Sequence, residues 1–134
     1  MWPDLWIPEN LSKNFCYDVS TMEPFNVSRP WGGFRQFTLN EPVTVKIMTV
    51  MPHQEFSLQY HKNRSEFWHI LSGTPTVILG EEMKEAKPGD EFTVPPGINH
   101  RMQAGDERVV FLEVAHGTFD ESDVIRLSDD YGRA

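Results

Sequence analysis

Ser57-Leu58-Gln59-Tyr60-His61-Lys62-Asn63-Arg64-Ser65-Glu66-Phe67-Trp68-His69-Ile70-Leu71-Ser72-Gly73 reads as two short β-strands and the turn that joins them. Side chains alternate faces along a strand, so Gln59 and His61 project together, with Ser57 behind them. The polar residues 62–65 turn the chain, and an antiparallel return sets Glu66 near His61. The second strand runs through residues 67–71 and stops at Ser72-Gly73. The same rhythm extends outward. Residues 34–39, 43–51 and 56–60 on one side, and 76–79, 91–94, 100–103 and 108–115 on the other, are short runs rich in Val, Ile, Phe, Leu and Thr. Pro42, Pro52, Gly80, Pro88-Gly89, Pro95-Pro96-Gly97 and Gly105 punctuate them. Short β-rich runs separated by turn residues predict an all-β sandwich or barrel.

Helix is expected to be scarce. Residues 122–127 offer a turn or two, capped at Asp120 or Ser122. Residues 1–27 show no clear period and hold Trp2, Trp6 and Phe15, so they read as an irregular N-terminal arm. Residues 28–134 read as the domain proper. At 134 residues the chain has room for one domain with a real core.

Twelve Lys and Arg against 20 Asp and Glu give a net charge of −8. So acidic a chain is a poor match to nucleic acid or an anionic membrane, and neither is expected as a partner. Cys16 is the single cysteine, which excludes an intrachain disulfide and fits a reducing compartment. The start, Met1-Trp2-Pro3-Asp4, has no basic or apolar leader, and no apolar run is long enough to span a bilayer. The expectation is a cytoplasmic protein.

Chemistry concentrates on Gln59, His61, Glu66 and His100. Two imidazoles, a carboxylate and an amide oxygen make a mixed N/O site for a divalent metal ion. Zinc is favoured, and manganese, iron, cobalt and nickel are compatible with the same donors. His69 has the opposite parity to Glu66 and faces away, whereas Trp68 shares it and walls the site. Trp31 and the phenylalanines read as core. Lys46 lies mid-strand in residues 43–51, where its plain role is an edge-strand charge against aggregation. Glu113 lies in an apolar run and reads as a buried carboxylate: a base, a support for a histidine ligand, or an arginine's partner.

The spacing resembles the two cupin motifs. Gln59-x-His61, four residues, Glu66, six residues, Gly73 is similar to the first, with Gln59 where a histidine is usual. Gly89, five residues, Pro95-x-Gly97, two residues, His100 is similar to the second, with Ala104 where an asparagine is usual. Glutamine in the first position resembles the type II phosphomannose isomerases. Arg29-Pro30-Trp31-Gly32, residues 45–50, Ser57-Leu58-Gln59-Tyr60-His61, Arg64-Ser65-Glu66-Phe67-Trp68 and Asp129-Asp130-Tyr131-Gly132-Arg133 resemble successive blocks of that isomerase domain. The domain is commonly fused to a guanylyltransferase, for which this sequence shows no nucleotide loop. A stand-alone domain is expected.

The resemblance implies a cupin-type double-stranded β-helix, or jelly roll. It implies a metal-dependent aldose–ketose isomerase for a phosphorylated sugar, mannose 6-phosphate first. It matches a lysine at Lys46, which with Glu113 is the candidate for proton transfer. Phosphate requires cationic donors, and Arg64, Arg101 and Arg133, with Ser57, are the candidate substrate residues. Arg101 points away from its neighbour His100 on a regular strand. Two other readings stay open: a non-catalytic sugar or sugar-nucleotide binding module, and another cupin enzyme such as an iron dioxygenase. The aromatic arm and the exposed strand edges of such folds predict a homodimer.

Overall fold

The structure is a computed structural model and describes residues 23–134. The arm residues Trp2, Trp6 and Phe15, and Cys16, lie outside the described residues. Eleven strands and no helix are found among the described residues.

The chain divides into two units after Pro42. In the first, β1 (Phe25–Arg29) pairs antiparallel with β2 (Gly32–Gln36). Strand β1 runs across the boundary expected at residues 27/28. Trp31 sits at the hairpin turn and is 75% exposed, so it is not a core residue.

The second unit, Val43–Ala134, is a jelly roll of two antiparallel sheets. Its strands are β3 (Val43–Val50), β4 (Leu58–Tyr60), β5 (Arg64–Ser72), β6 (Thr76–Leu79), β7 (Glu82–Glu85), β8 (Glu91–Val94), β9 (His100–Gln103), β10 (Val109–Gly117) and β11 (Ile125–Ser128). One sheet has the order β3-β10-β5-β8 and the other β11-β4-β9-β6-β7. Consecutive strands fall mostly in different sheets, which wraps the chain around one interior. Alternation decides what enters it: along β5, Arg64, Glu66, Trp68 and Ile70 are buried, and the residues between them are not. Trp68, Ile70, Val77, Val94, Met102, Val109 and Phe111 form the apolar part of the core. Gly73, after β5, has φ +83°, and a Cβ there would stand 2.5 Å from the Arg108 carbonyl oxygen. Only glycine takes that turn without strain.

Three strands differ from the sequence expectation. β1 alternates over only Phe25 and Val27 before it turns polar, and β7 carries no apolar alternation and is an exposed edge paired only with β6. The helical turn expected over residues 122–127 is instead a tight turn and the strand β11. The Asp120 side chain accepts from Ser122 N at 2.9 Å, and its carbonyl accepts from Asp123 N at 2.9 Å. These bonds satisfy the backbone locally, and β-branched Val124-Ile125 then continues extended.

Candidate metal centre

Two cross-strand rows build the site. In one sheet Arg126 pairs with Gln59, Gln59 with His100, and His100 with Leu79. In the other Lys46 pairs with Glu113, and Glu113 with Trp68. Directly paired residues share a face, so each row presents its side chains to the interior. His61 follows β4 on the parity of Gln59, and its carbonyl accepts from Gly97 N at 2.7 Å. The Pro95-Pro96-Gly97 turn is thereby fastened to His61 just before the chain enters β9 with His100.

His61, Glu66 and His100 are buried, and one potential ligand atom from each lies within 4.8 Å of the others. The imidazole centroids are 4.9 Å apart. His61 Nδ1 is 2.6 Å from the Asp123 carbonyl oxygen, and His100 Nδ1 is 2.9 Å from that of Ile98. A carbonyl only accepts, so each Nδ1 carries the proton and each neutral ring turns an Nε2 lone pair inward. His100 Nε2 is buried with no hydrogen-bond partner among the described residues. Such an orphaned acceptor costs free energy unless a cation or donor meets it. His61 Nε2 lies 3.1 Å from Glu66 Oε1, two acceptors face to face. The Arg64 guanidinium stands between them, with Nη2 3.2 Å from His61 Nε2 and Nε 3.1 Å from Glu66 Oε1. Glu66 Oε2 accepts from the Trp68 indole N–H at 3.1 Å. The Gln59 amide oxygen accepts from Ser57 Oγ, which leaves Nε2 3.5 Å from His61 Nε2. Two inward lone pairs and a carboxylate fit a divalent metal ion, and Gln59 would join them through its oxygen if its amide were turned over.

The charges are tuned by this crowding. Burial alone would raise Glu66, but at the acid pH where it titrates both imidazoles are protonated, and the hydrogen bond from His61 and the charges of His100 and His61, with the Arg64 hydrogen bond, outweigh burial and lower the carboxyl to about 2. Glu113 moves the other way, to about 7, because it is buried and faces the Glu66 carboxylate. Burial lowers His100, in keeping with a neutral ligand ring.

Residues 118–123 strap the cluster. Phe119 lies between two cations, its ring centroid 4.3 Å from Lys46 Nζ and 4.3 Å from the Arg64 guanidinium carbon. Arg64 Nη1 donates to the Asp120 carbonyl at 3.1 Å, and Lys46 Nζ pairs with Glu121 at 2.8 Å. The Asp123 carboxylate accepts from Lys62 N at 3.0 Å and Asn63 N at 2.9 Å.

The structure therefore brings together Lys46, Ser57, Gln59, His61, Arg64, Glu66, His100 and Glu113. His69 faces away and pairs with Glu91 at 2.8 Å. Arg101 is not in this group. It pairs with Glu55 at 3.0 Å and donates to the carbonyls of Phe56 and Ser128, which staples the outside of the sheet. Arg133 lies in the C-terminal tail, where it pairs with Asp129 at 2.7 Å and lines a cavity with Tyr131. Phe119, Asp123 and Arg126 were not among the residues singled out from the sequence. Strand pairing and loop contacts across the fold place them, and no local pattern marks them.

The family described as Mannose-6-phosphate isomerase C-terminal matches residues 18–129. The chain belongs to this family. The Xanthan biosynthesis protein XanB of Xanthomonas campestris pv. campestris is 36% identical over 109 residues, covering 80% of this chain and 23% of that protein. A mannose-1-phosphate guanylyltransferase of Escherichia coli K12 is 32% identical over 109 residues, with the same coverage of 80% and 23%. The chain thus spans about a quarter of the length of these curated relatives. Oxalate decarboxylase of Bacillus subtilis superposes with a TM-score of 0.59 at 27% identity, over 65% of this chain and 24% of that one. A putative sugar phosphate isomerase of Acidithiobacillus ferrooxidans gives 0.52 at 22% identity, over 57% and 51%, a likeness of fold alone. The isomerase-family domain is a cupin: the strand rhythm predicts an all-β sandwich or barrel, and the jelly roll is the one that the motif resemblance implies. Among the described residues no helix is long and apolar enough to cross a membrane.

Proposed function

We propose that this domain is a metal-dependent aldose–ketose isomerase that interconverts mannose 6-phosphate and fructose 6-phosphate. The observation that carries the reading is the pair of inward Nε2 lone pairs beside Glu66, one of them orphaned, in a family named for that isomerase. A divalent ion held by His61, Glu66 and His100, with Gln59, would polarise the carbonyl oxygen of the sugar. Zinc is the ion favoured for two imidazoles and a carboxylate.

In the aldose-to-ketose direction a proton leaves C2 and is delivered to C1, while a hydroxyl proton passes from O2 to O1. One group that accepts and then donates suffices. Glu113 is proposed for that shuttle, since a carboxyl held near neutrality serves both steps. Lys46, its cross-strand partner, supplies positive charge beside it. Arg64 and Trp68 fix the Glu66 carboxylate through separate oxygens. Ser57 holds the Gln59 amide.

The test is turnover by purified protein carrying one equivalent of zinc, manganese, iron, cobalt or nickel. Isomerisation above the metal-only background, abolished in His100→Ala, is expected. No turnover with any of these ions, in protein shown to bind them, overturns the proposal.

A further inference from the structure

The candidate cations are mostly spoken for. Lys46 is paired with Glu121, Arg64 with Glu66 and the Asp120 carbonyl, and Arg133 with Asp129. Arg126 differs. Its Nε is buried with no hydrogen-bond partner among the described residues. It is the cross-strand partner of Gln59, which is in turn the partner of His100, so the three share one inward row. Adjacent strands are about 4.8 Å apart, which sets the Arg126 backbone about 10 Å from that of His100.

A cavity of about 240 Å³ opens beside the end of β3. Its walls include Met48 and Val50 of β3, Phe56 just before β4, and Tyr131 and Arg133 just after β11. Phe56 is also the ring that meets His100, at 6.4 Å between centroids, and Trp68, at 6.0 Å. Phe56 is thus the residue that the cavity and the cluster share.

We infer that Arg126 receives the phosphate of a phosphorylated sugar whose carbonyl end lies at the His61–Glu66–His100 cluster. This rests on the isomerase reading for the sugar, and on the Arg126–Gln59–His100 row for the contact. A buried guanidinium edge without an acceptor is matched by a phosphate monoester, which offers several oxygens to its planar fork. A hexose phosphate has its carbonyl carbons and its phosphate at opposite ends, and so bridges the row. Arg126 thereby selects phosphorylated over free sugars.

Calorimetric titration of metal-loaded protein with mannose 6-phosphate, mannose and inorganic phosphate tests this. Arg126→Gln is expected to weaken mannose 6-phosphate by about 10- to 100-fold, the loss of a charge-assisted pair. Mannose affinity, metal content and Tm should stay as in the wild type. Arg126→Lys keeps the charge without the fork and should fall between; if Arg126→Gln does not fold, this variant decides alone. Unchanged mannose 6-phosphate affinity in the folded variant overturns the inference, as does a wild type that binds neither phosphate ligand. Turnover in the same preparations separates the two ideas. Arg126-dependent binding without isomerisation sinks the isomerase reading and keeps the phosphate site, whereas isomerisation with an unchanged KM in Arg126→Gln does the reverse.

Discussion

Replacing Glu113 by glutamine probes the buried charges through stability alone. Burial and the facing Glu66 carboxylate raise the Glu113 carboxyl from 4.5 to about 7 in the folded chain. In the unfolded chain it ionises near 4.5. Between these values the unfolded state has released a proton that the folded state still holds, so stability falls as pH rises from about 4.5 to about 7 and is level above. The interval corresponds to about 3 kcal/mol. Glu66 has the opposite sign: lowered to about 2, it contributes stability that is present above 4.5 and lost as pH falls toward 2. The pair predicts that metal-free protein is most stable on the acid side of neutrality. Glutamine cannot ionise, so Glu113→Gln should abolish the decline between pH 5 and 7 and leave the acid limb in place. Urea unfolding of the metal-free protein, from about pH 2 to 8.5, measures this directly. A variant whose stability still falls by about 3 kcal/mol between pH 5 and 7 would refute the assignment of that proton to Glu113.

Asp123→Ala removes the acceptor for Lys62 N and Asn63 N and loosens the carbonyl that orients His61. Zinc affinity, read by competition with a chromophoric chelator, should drop by about 10- to 100-fold with the fold retained. Trp68→Phe keeps a ring in the core but leaves Glu66 Oε2 without its indole donor. Urea unfolding should show a loss of about 1–3 kcal/mol. Gly73→Ala forces a side chain into a left-handed backbone against the Arg108 carbonyl. Thermal unfolding should register a loss of about 1–3 kcal/mol, several degrees in Tm.

The parts of this site that could be read from the sequence obey the two-residue period of a strand. Gln59 with His61, Glu66 with Trp68, and His69 turned outward all follow from parity. The proline-glycine turn before His100 is likewise a local signal. Pairing between distant strands is not. Glu113 meets Lys46 only because β10 lies beside β3 in one register, and Arg126 meets Gln59 only because β11 adds to the edge of β4. A slip of one residue would turn either side chain outward. The strap is harder still. Asp123 reaches Lys62 and Asn63 from about sixty positions away, and its own neighbours look like a helix cap. Arg101 shows the converse: a basic residue beside a histidine ligand invites a functional reading, yet alternation alone sends it to the outer face.

The position of Arg64 ties these observations together. His61 Nε2 and Glu66 Oε1 are both acceptors, and at 3.1 Å they are held by the positive charge next to them. The Arg64 guanidinium supplies that charge, yet a divalent ion would require the same two lone pairs. Metal affinity at this site is therefore a difference, the gain from the ion less the contacts that Arg64 gives up. The strap moderates that cost. Asp120 O and the Phe119 ring hold Arg64 independently of the ligands, so the guanidinium has partners to keep when the lone pairs are taken. Phe119 also touches Lys46, whose ammonium is fixed by Glu121. One short loop thus fixes the tautomer of a ligand and both the partners and the packing of two cations. Its sequence should govern how readily the site accepts an ion even though no side chain of the loop reaches the ligands' lone pairs.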